Sequence, residues 1–175
     1  LLGRRQRQMC IRDSSYFSMA AFDDMYQQVV TVNGVSKSFA MTGWRLGYIG
    51  APEWIAKACT KIQGQFTSGA SSISQRAALA AVSSSPNVIL PMKEAFLERR
   101  NFMLKELRNI EGIKINEPKG AFYLFPDVSE LFGQHFEEKT INNADDLCLF
   151  LLEEAKVALV TGNAFGSPNC IRISY

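Results

Sequence analysis

Three cationic side chains and a hydroxyl are of types that could carry chemistry. Lys37 lies in VSKSFAMTG, a loop that directly follows the β-branched run QVVTV. Loops at strand ends are where ligands collect in open α/β sheets. Ser36 precedes the lysine, Arg45 follows it in the same segment, and Gly43 and Gly47 would allow close backbone approach. An amine held near a fixed arginine and partly shielded by Phe39 and Trp44 has its charged form disfavoured, which is the condition for imine chemistry. Arg45, at the mouth of the strand RLGYIGA, needs an anion, and its fork suits a phosphate or a carboxylate. On the residues alone, a structural ion pair with a nearby Asp or Glu is the favoured role. Arg172 stands in CIRISY, where strand alternation puts Ile171, Ile173 and Tyr175 on one face and Cys170, Arg172 and Ser174 on the other. A rigid strand suits bidentate capture of a carboxylate, although the commoner role of a lone strand arginine is an internal ion pair.

The elements that must position these groups follow from pattern. QVVTV (Gln28 to Val32) reads as a buried strand halted by a turn at Asn33 and Gly34, and Arg45 to Ala51 as a second strand. Pro52 suits the first turn of a helix running to about Gln65, and a polar, glycine-containing break precedes an alanine-rich helix from Ile73 to about Ser83. From Val88 to Ile110, Met92, Phe96, Met103, Leu107 and Ile110 form one face of a long amphipathic helix, with Lys93, Glu94, Glu98, Arg100, Lys105 and Arg108 on its solvated side. Beyond Gly112 come a short strand near Ile113 to Asn116, a turn at Pro118 to Gly120 and the aromatic strand Ala121 to Phe125. Asn143 with Asp146 resembles a capping box opening a helix to Lys156. VALV and CIRIS then read as strands separated by the loop TGNAFGSPN. The architecture implied is α/β, with two lobes meeting near the start of the long helix.

Composition sets outer limits. The chain has 175 residues, 47% apolar and 21% charged, enough for a sizeable core. Residues 1–13, LLGRRQRQMCIRD, hold four arginines and no usable period, and they read as a non-native lead-in. The remainder carries fifteen basic and sixteen acidic groups, a balance that lacks the basic excess of a nucleic-acid reader. The four cysteines, Cys10, Cys59, Cys148 and Cys170, lie far apart, and His135 is the single histidine, so neither a metal cluster nor a disulfide framework is signalled. A reduced, cytoplasmic setting and no membrane partner are the expectation. His135 falls in the polar insert FGQHFEEKTINN, read as a surface loop, and Cys170 reads as a small core filler.

Taken together, these segments resemble a known family. VNGVSKSFAMTGWRLGYIGAP is similar to the cofactor-lysine segment of class I aminotransferases, the fold type I pyridoxal-phosphate enzymes. QGQFTSGASSISQ, EPKGAFYLFPDVS and VALVTGNAFGSPNCIRISY support it in the same order, so the likeness covers residues 15–175 and is strongest to the bacterial and plant-type aspartate aminotransferases. The resemblance implies a partial fold type I architecture: residues 14–90 as the C-terminal part of a large parallel-sheet, cofactor-binding domain, and residues 91–175 as a smaller α+β domain, the whole being a C-terminal fragment. It implies that Lys37 carries pyridoxal phosphate in imine linkage and serves as general base, that Arg45 binds the cofactor phosphate, and that Arg172 grips the substrate α-carboxylate. Ser36 is a secondary phosphate candidate, because many relatives carry a hydroxyl where this chain has Gly34. Thr161 stands where many relatives have proline. The reaction implied is transfer of an amino group between an amino acid, aspartate or glutamate, and a 2-oxo acid, by a homodimer. A β-lyase or synthase of the same fold, and an aminotransferase-like sensor domain of a transcription regulator, share the lysine and both arginines. The Asp and Tyr that family members place against the cofactor ring would fall in RRQRQMCIRD, where Asp13 does not match the pattern. The chain by itself is therefore expected to be inactive and poorly folded.

Overall fold

The computed structural model describes residues 18–22, 24–136 and 139–175. The lead-in assigned to residues 1–13, with Cys10 and Asp13, lies outside them. The chain divides into two compact units at Lys93 and Glu94.

In the first unit, strand β1 (Thr31–Gly34) pairs antiparallel with β2 (Gly47–Gly50), in the register Thr31↔Gly50 to Gly34↔Gly47. The first strand differs from its expected span and burial. A 3-10 turn takes Tyr26–Gln28, so pairing starts at Thr31 and runs through Asn33 and Gly34 instead of turning there. The Asn33 carboxamide accepts the Gly34 N–H at 2.8 Å, and Gly34 and Gly47 face each other across the ladder. Among the described residues β1 has one neighbouring strand, and Val32 is 73% exposed. The parallel neighbours of a doubly wound sheet are not among those residues.

Helix α1 (Glu53–Phe66) opens on Pro52, whose fixed φ suits an entry to helix, with Glu53 and Lys57 paired at 2.6 Å on its exposed first turn. Helix α2 (Ser72–Ser83) is rich in alanine, and its small side chains admit a tight core. Val35, Met41 and Ala78 are buried there, flanked by Phe39, Leu46, Tyr48, Ala77, Ala81 and Val82. The segment between β1 and β2 is thereby nailed to α2 through its apolar residues.

Helix α3 (Leu90–Arg108), preceded by a 3-10 turn at Pro86–Ile89, crosses the division between the units. Its buried stripe contains Leu104 and Leu107, and also Arg100, which sequence patterning assigns to the solvated side. Arg100 is only 3% exposed; its guanidinium donates to Pro118 O at 3.1 Å and to Asn101 Oδ1 at 2.8 Å, and approaches Glu117 at 3.7 Å. These partners offset the desolvation of the charge. Ile110, expected on the buried face, lies beyond the helix and is exposed.

The second unit contains a three-stranded antiparallel sheet in the order β3 (Tyr123–Leu124), β7 (Ile171–Ser174), β6 (Val160–Thr161). Ile113 to Asn116 is not a strand; a single bridge joins Lys114 to Asp127, with main-chain bonds exchanged by that one pair. His135 lies not in a loop but in the hairpin of β4 (Gln134–Phe136) and β5 (Lys139–Ile141), which Phe136 anchors by packing on Phe150 at 5.0 Å. Helix α4 (Ala144–Glu154) begins where its cap requires: the Asn143 side chain accepts the Asp146 N–H at 2.9 Å, with Asp145 and Asp146 in the first turn. Val128, Ile141, Ala144, Leu147 and Ile171 form one core cluster, and Leu104, Leu107 and Leu124 a second.

Candidate functional site

Ser36, Lys37 and Arg45 all lie in the single connection between β1 and β2. Gly34 and Gly47 are the last pair of the ladder, so residues 35–46 close that end of the hairpin and carry all three side chains. A side chain at Gly47 would bring its Cβ to 3.1 Å from Asn33 O, tighter than strands ordinarily tolerate. Val35 and Met41 point into the α2 core, and the turns between them are held by Phe39 N–H to Val35 O and Ala40 N–H to Lys37 O, at 3.3 and 3.2 Å. Anchoring these apolar residues leaves Lys37 exposed and Ser36 half-buried.

The shielding expected of Phe39 and Trp44 is not found. Phe39 packs into the core and Trp44 is itself 43% exposed, so Lys37 stands open to solvent. Arg45 does not open the strand either. It ends the 3-10 turn Thr42–Trp44 in a left-handed conformation, φ 50° and ψ 49°, and strand β2 starts two residues later. A non-glycine residue held there carries about 1–2 kcal/mol of strain. Its guanidinium donates to Thr42 O at 3.0 Å, and among the described residues no carboxylate pairs with it. Among the described residues its exposed fork therefore keeps donors to spare.

Arg172, in the second unit, occupies the middle strand of the three-stranded sheet, opposite Val160. Ile171 and Ile173 face core clusters, as alternation requires, which puts Arg172 and Ser174 on the other face. No salt bridge engages Arg172 among the described residues, and its buried Nε has no hydrogen-bond partner there. The guanidinium carbon lies 4.6 Å from the ring centre of Tyr123 and 4.9 Å from that of Phe165. Sequence reasoning noted an aromatic strand and a glycine-containing loop but gave neither ring a role. The strand period was the usable signal: Tyr123 pairs with Ser174, so it is the diagonal same-face neighbour of Arg172.

The remaining candidates are quiet. Burial, with Asp127 nearby, raises the Cys170 thiol above its ordinary value, which suits a packing role and not a nucleophile. His135 is exposed, with Nδ1 2.8 Å from Thr140 Oγ1. No group of three or more His, Cys, Asp or Glu among the described residues could hold a metal, and none of their helices is long and apolar enough to cross a membrane.

Comparison with known proteins places this arrangement. The model of the family "Aminotransferase class I and II" matches residues 7–175, and the chain belongs to that family. It is 51% identical over 166 residues to the bifunctional aspartate aminotransferase and glutamate/aspartate-prephenate aminotransferase of Petunia hybrida, covering 93% of this chain and 35% of that protein. It is 49% identical to the aspartate aminotransferase of Pinus pinaster, with 93% and 34% covered. The crystal structure of the aspartate aminotransferase from Rhizobium meliloti superposes with a TM-score of 0.90 at 38% identity, over 96% of this chain and 42% of that one. The chain thus has a partial fold type I α/β architecture and spans between a third and a half of the length of these relatives. Members of the family use pyridoxal phosphate, and the donor set fits it: in one connection, a primary amine for its aldehyde, and for its phosphate a hydroxyl and a guanidinium that no carboxylate of the described residues engages.

Proposed function

We propose that this chain supplies the cofactor-anchoring hairpin and the carboxylate-binding strand of an aspartate aminotransferase that exchanges the amino group of aspartate or glutamate with a 2-oxo acid. The observation that carries the reading is that one connection, residues 35–46 between β1 and β2, bears Lys37, Ser36 and an Arg45 claimed by no carboxylate of the described residues. Pyridoxal phosphate, when bound, supplies an aldehyde for linkage to amines and a ring that accepts electrons from the substrate Cα. Lys37 would hold it through Nζ and would serve as the base that moves the substrate Cα proton. Arg45 and, secondarily, Ser36 hold the phosphate. Arg172 grips the α-carboxylate through its planar fork and so fixes the direction of the Cα–H bond, a positional contribution.

The names of the relatives favour transamination over β-elimination or gene regulation. A cytoplasmic homodimer is the assembly we infer for the full-length protein, in line with the family. Borohydride reduction of the protein with pyridoxal phosphate, followed by peptide mapping, is expected to place the pyridoxyl mass on Lys37 and to lose it in Lys37→Arg. A label found at another lysine would overturn the assignment.

A further inference from the structure

Arg172 raises a problem that the carboxylate reading leaves unsolved. A guanidinium with no carboxylate or carbonyl partner among the described residues should sample several rotamers, and every ordered rotamer lost on binding weakens affinity. Two aromatic faces occupy the place where an ion pair would ordinarily sit. Tyr123 comes from the neighbouring strand β3, diagonally placed by the Tyr123↔Ser174 pair. Phe165 comes from the 3-10 turn Gly162–Phe165, and that turn is fixed from several sides. Gly162 N–H donates to Cys170 O at 2.7 Å, and Ser167 N–H donates to Gly162 O at 3.0 Å. Thr161 Oγ1 accepts the Asn163 N–H, and the Asn163 side chain reaches Asp145 Oδ2 at 2.6 Å, tying the turn to the start of α4. Phe165 also meets Phe125 edge-on, with ring centres 5.8 Å apart.

We propose that Tyr123 and Phe165 are positioning residues that clamp the Arg172 guanidinium between two π-faces, holding its fork in place without consuming the donors that a substrate carboxylate needs. An acidic partner would order the arginine equally well but would compete with the ligand; aromatic rings attract the cation while leaving its in-plane N–H groups available. The inference rests on the reading of Arg172 as the carboxylate-binding residue, and the experiment separates the two.

The arginine Nε–Hε signals of the 15N-labelled full-length protein that contains this chain are followed by NMR during titration with succinate, a dicarboxylate lacking the reactive amine. The Arg172 signal, assigned by its absence in Arg172→Gln, is expected to be shifted upfield by the rings and to move on titration. Phe165→Leu and Tyr123→Leu should return it toward the ordinary arginine position and weaken succinate binding by about three- to tenfold each. Phe165→Tyr, which keeps a ring, should restore both. If succinate leaves the Arg172 signal unmoved and Arg172→Gln binds equally well, the carboxylate reading fails and the clamp fails with it. If Arg172→Gln abolishes binding but Phe165→Leu and Tyr123→Leu bind like the parent, the clamp alone is wrong. Equal loss in Phe165→Leu and Phe165→Tyr would also overturn it, by showing that shape and not the ring face matters.

Discussion

Asp127 sits where the main chain braces the approach to the strand that bears Arg172. It bridges Lys114 on one side and Cys170 on the other, the residue that leads into β7 and Arg172. The Ser129 hydroxyl donates to Asp127 Oδ1 at 2.6 Å and the Ser129 backbone N–H at 2.9 Å; these two bonds, the hydroxyl first, hold the carboxyl below its usual range. A depressed folded-state pKa contributes stability that is complete above the ordinary aspartate value and is lost as pH falls through the lowered one. Ser129→Ala is therefore expected to destabilise the chain by about 1 kcal/mol near neutral pH. It should also flatten the loss of stability below the ordinary aspartate value, both read from urea unfolding as a function of pH. Unchanged acid behaviour would show that Asp127 gains nothing from Ser129. At this scale the sequence was most legible where the backbone is regular. The alternation in CIRISY assigned the faces of Arg172 correctly, because a strand leaves each side chain only two directions. The exposure of Lys37 was not legible, since Phe39 turns into the core formed with α2, far away in the chain, and Trp44 is itself exposed.

Among the elements, the turn Gly162–Phe165 is the one with least tolerance. A Cβ on Gly162 would lie 2.1 Å from Ser167 O and 2.4 Å from Cys170 O, both main-chain atoms that cannot swing aside. Gly162→Ala should cost at least about 2 kcal/mol in chemical denaturation, because relief requires moving the strand that bears Arg172. A cost below half of that would mean the turn re-forms elsewhere. Helices were read well where a local signal marks their ends, as Asn143 does for α4. The long helix was read well in extent and misread on its face for an instructive reason. Its apolar series skips from Phe96 to Met103, and Arg100 fills that gap on the same stripe. A charged residue in an apolar period is indistinguishable by sequence from one facing water until its partners, here Pro118 and Asn101, are brought alongside. The strand expected at Ile113 to Asn116 failed similarly: propensity was present, but only one residue found a bridging partner.

For the molecule as a whole, surface composition is the dominant fact. The first unit exposes Val32, Trp54, Ile62, Phe66 and Ile73, with Phe66 83% accessible, far more large apolar side chains than a stable isolated surface favours. The 175-residue chain is expected to bind a hydrophobic dye and to sediment with a concentration-dependent, heavier-than-monomer coefficient; a clean monomer at all concentrations, with no dye uptake, would show these side chains to be innocuous. No such outcome could be read from the bulk figures of 47% apolar and near-neutral charge, which do not say which side of an element faces water. The facing glycines of the β1–β2 hairpin have a consequence of their own. Slipping the two strands by one residue would set Gly34 against Leu46 or Tyr48 and turn every side chain of the pair to the opposite face. Bare backbone at that pair admits close approach without choosing an alignment; the alignment is secured next door by Val35, sunk against α2, so that Lys37 stands two residues from a fixed anchor.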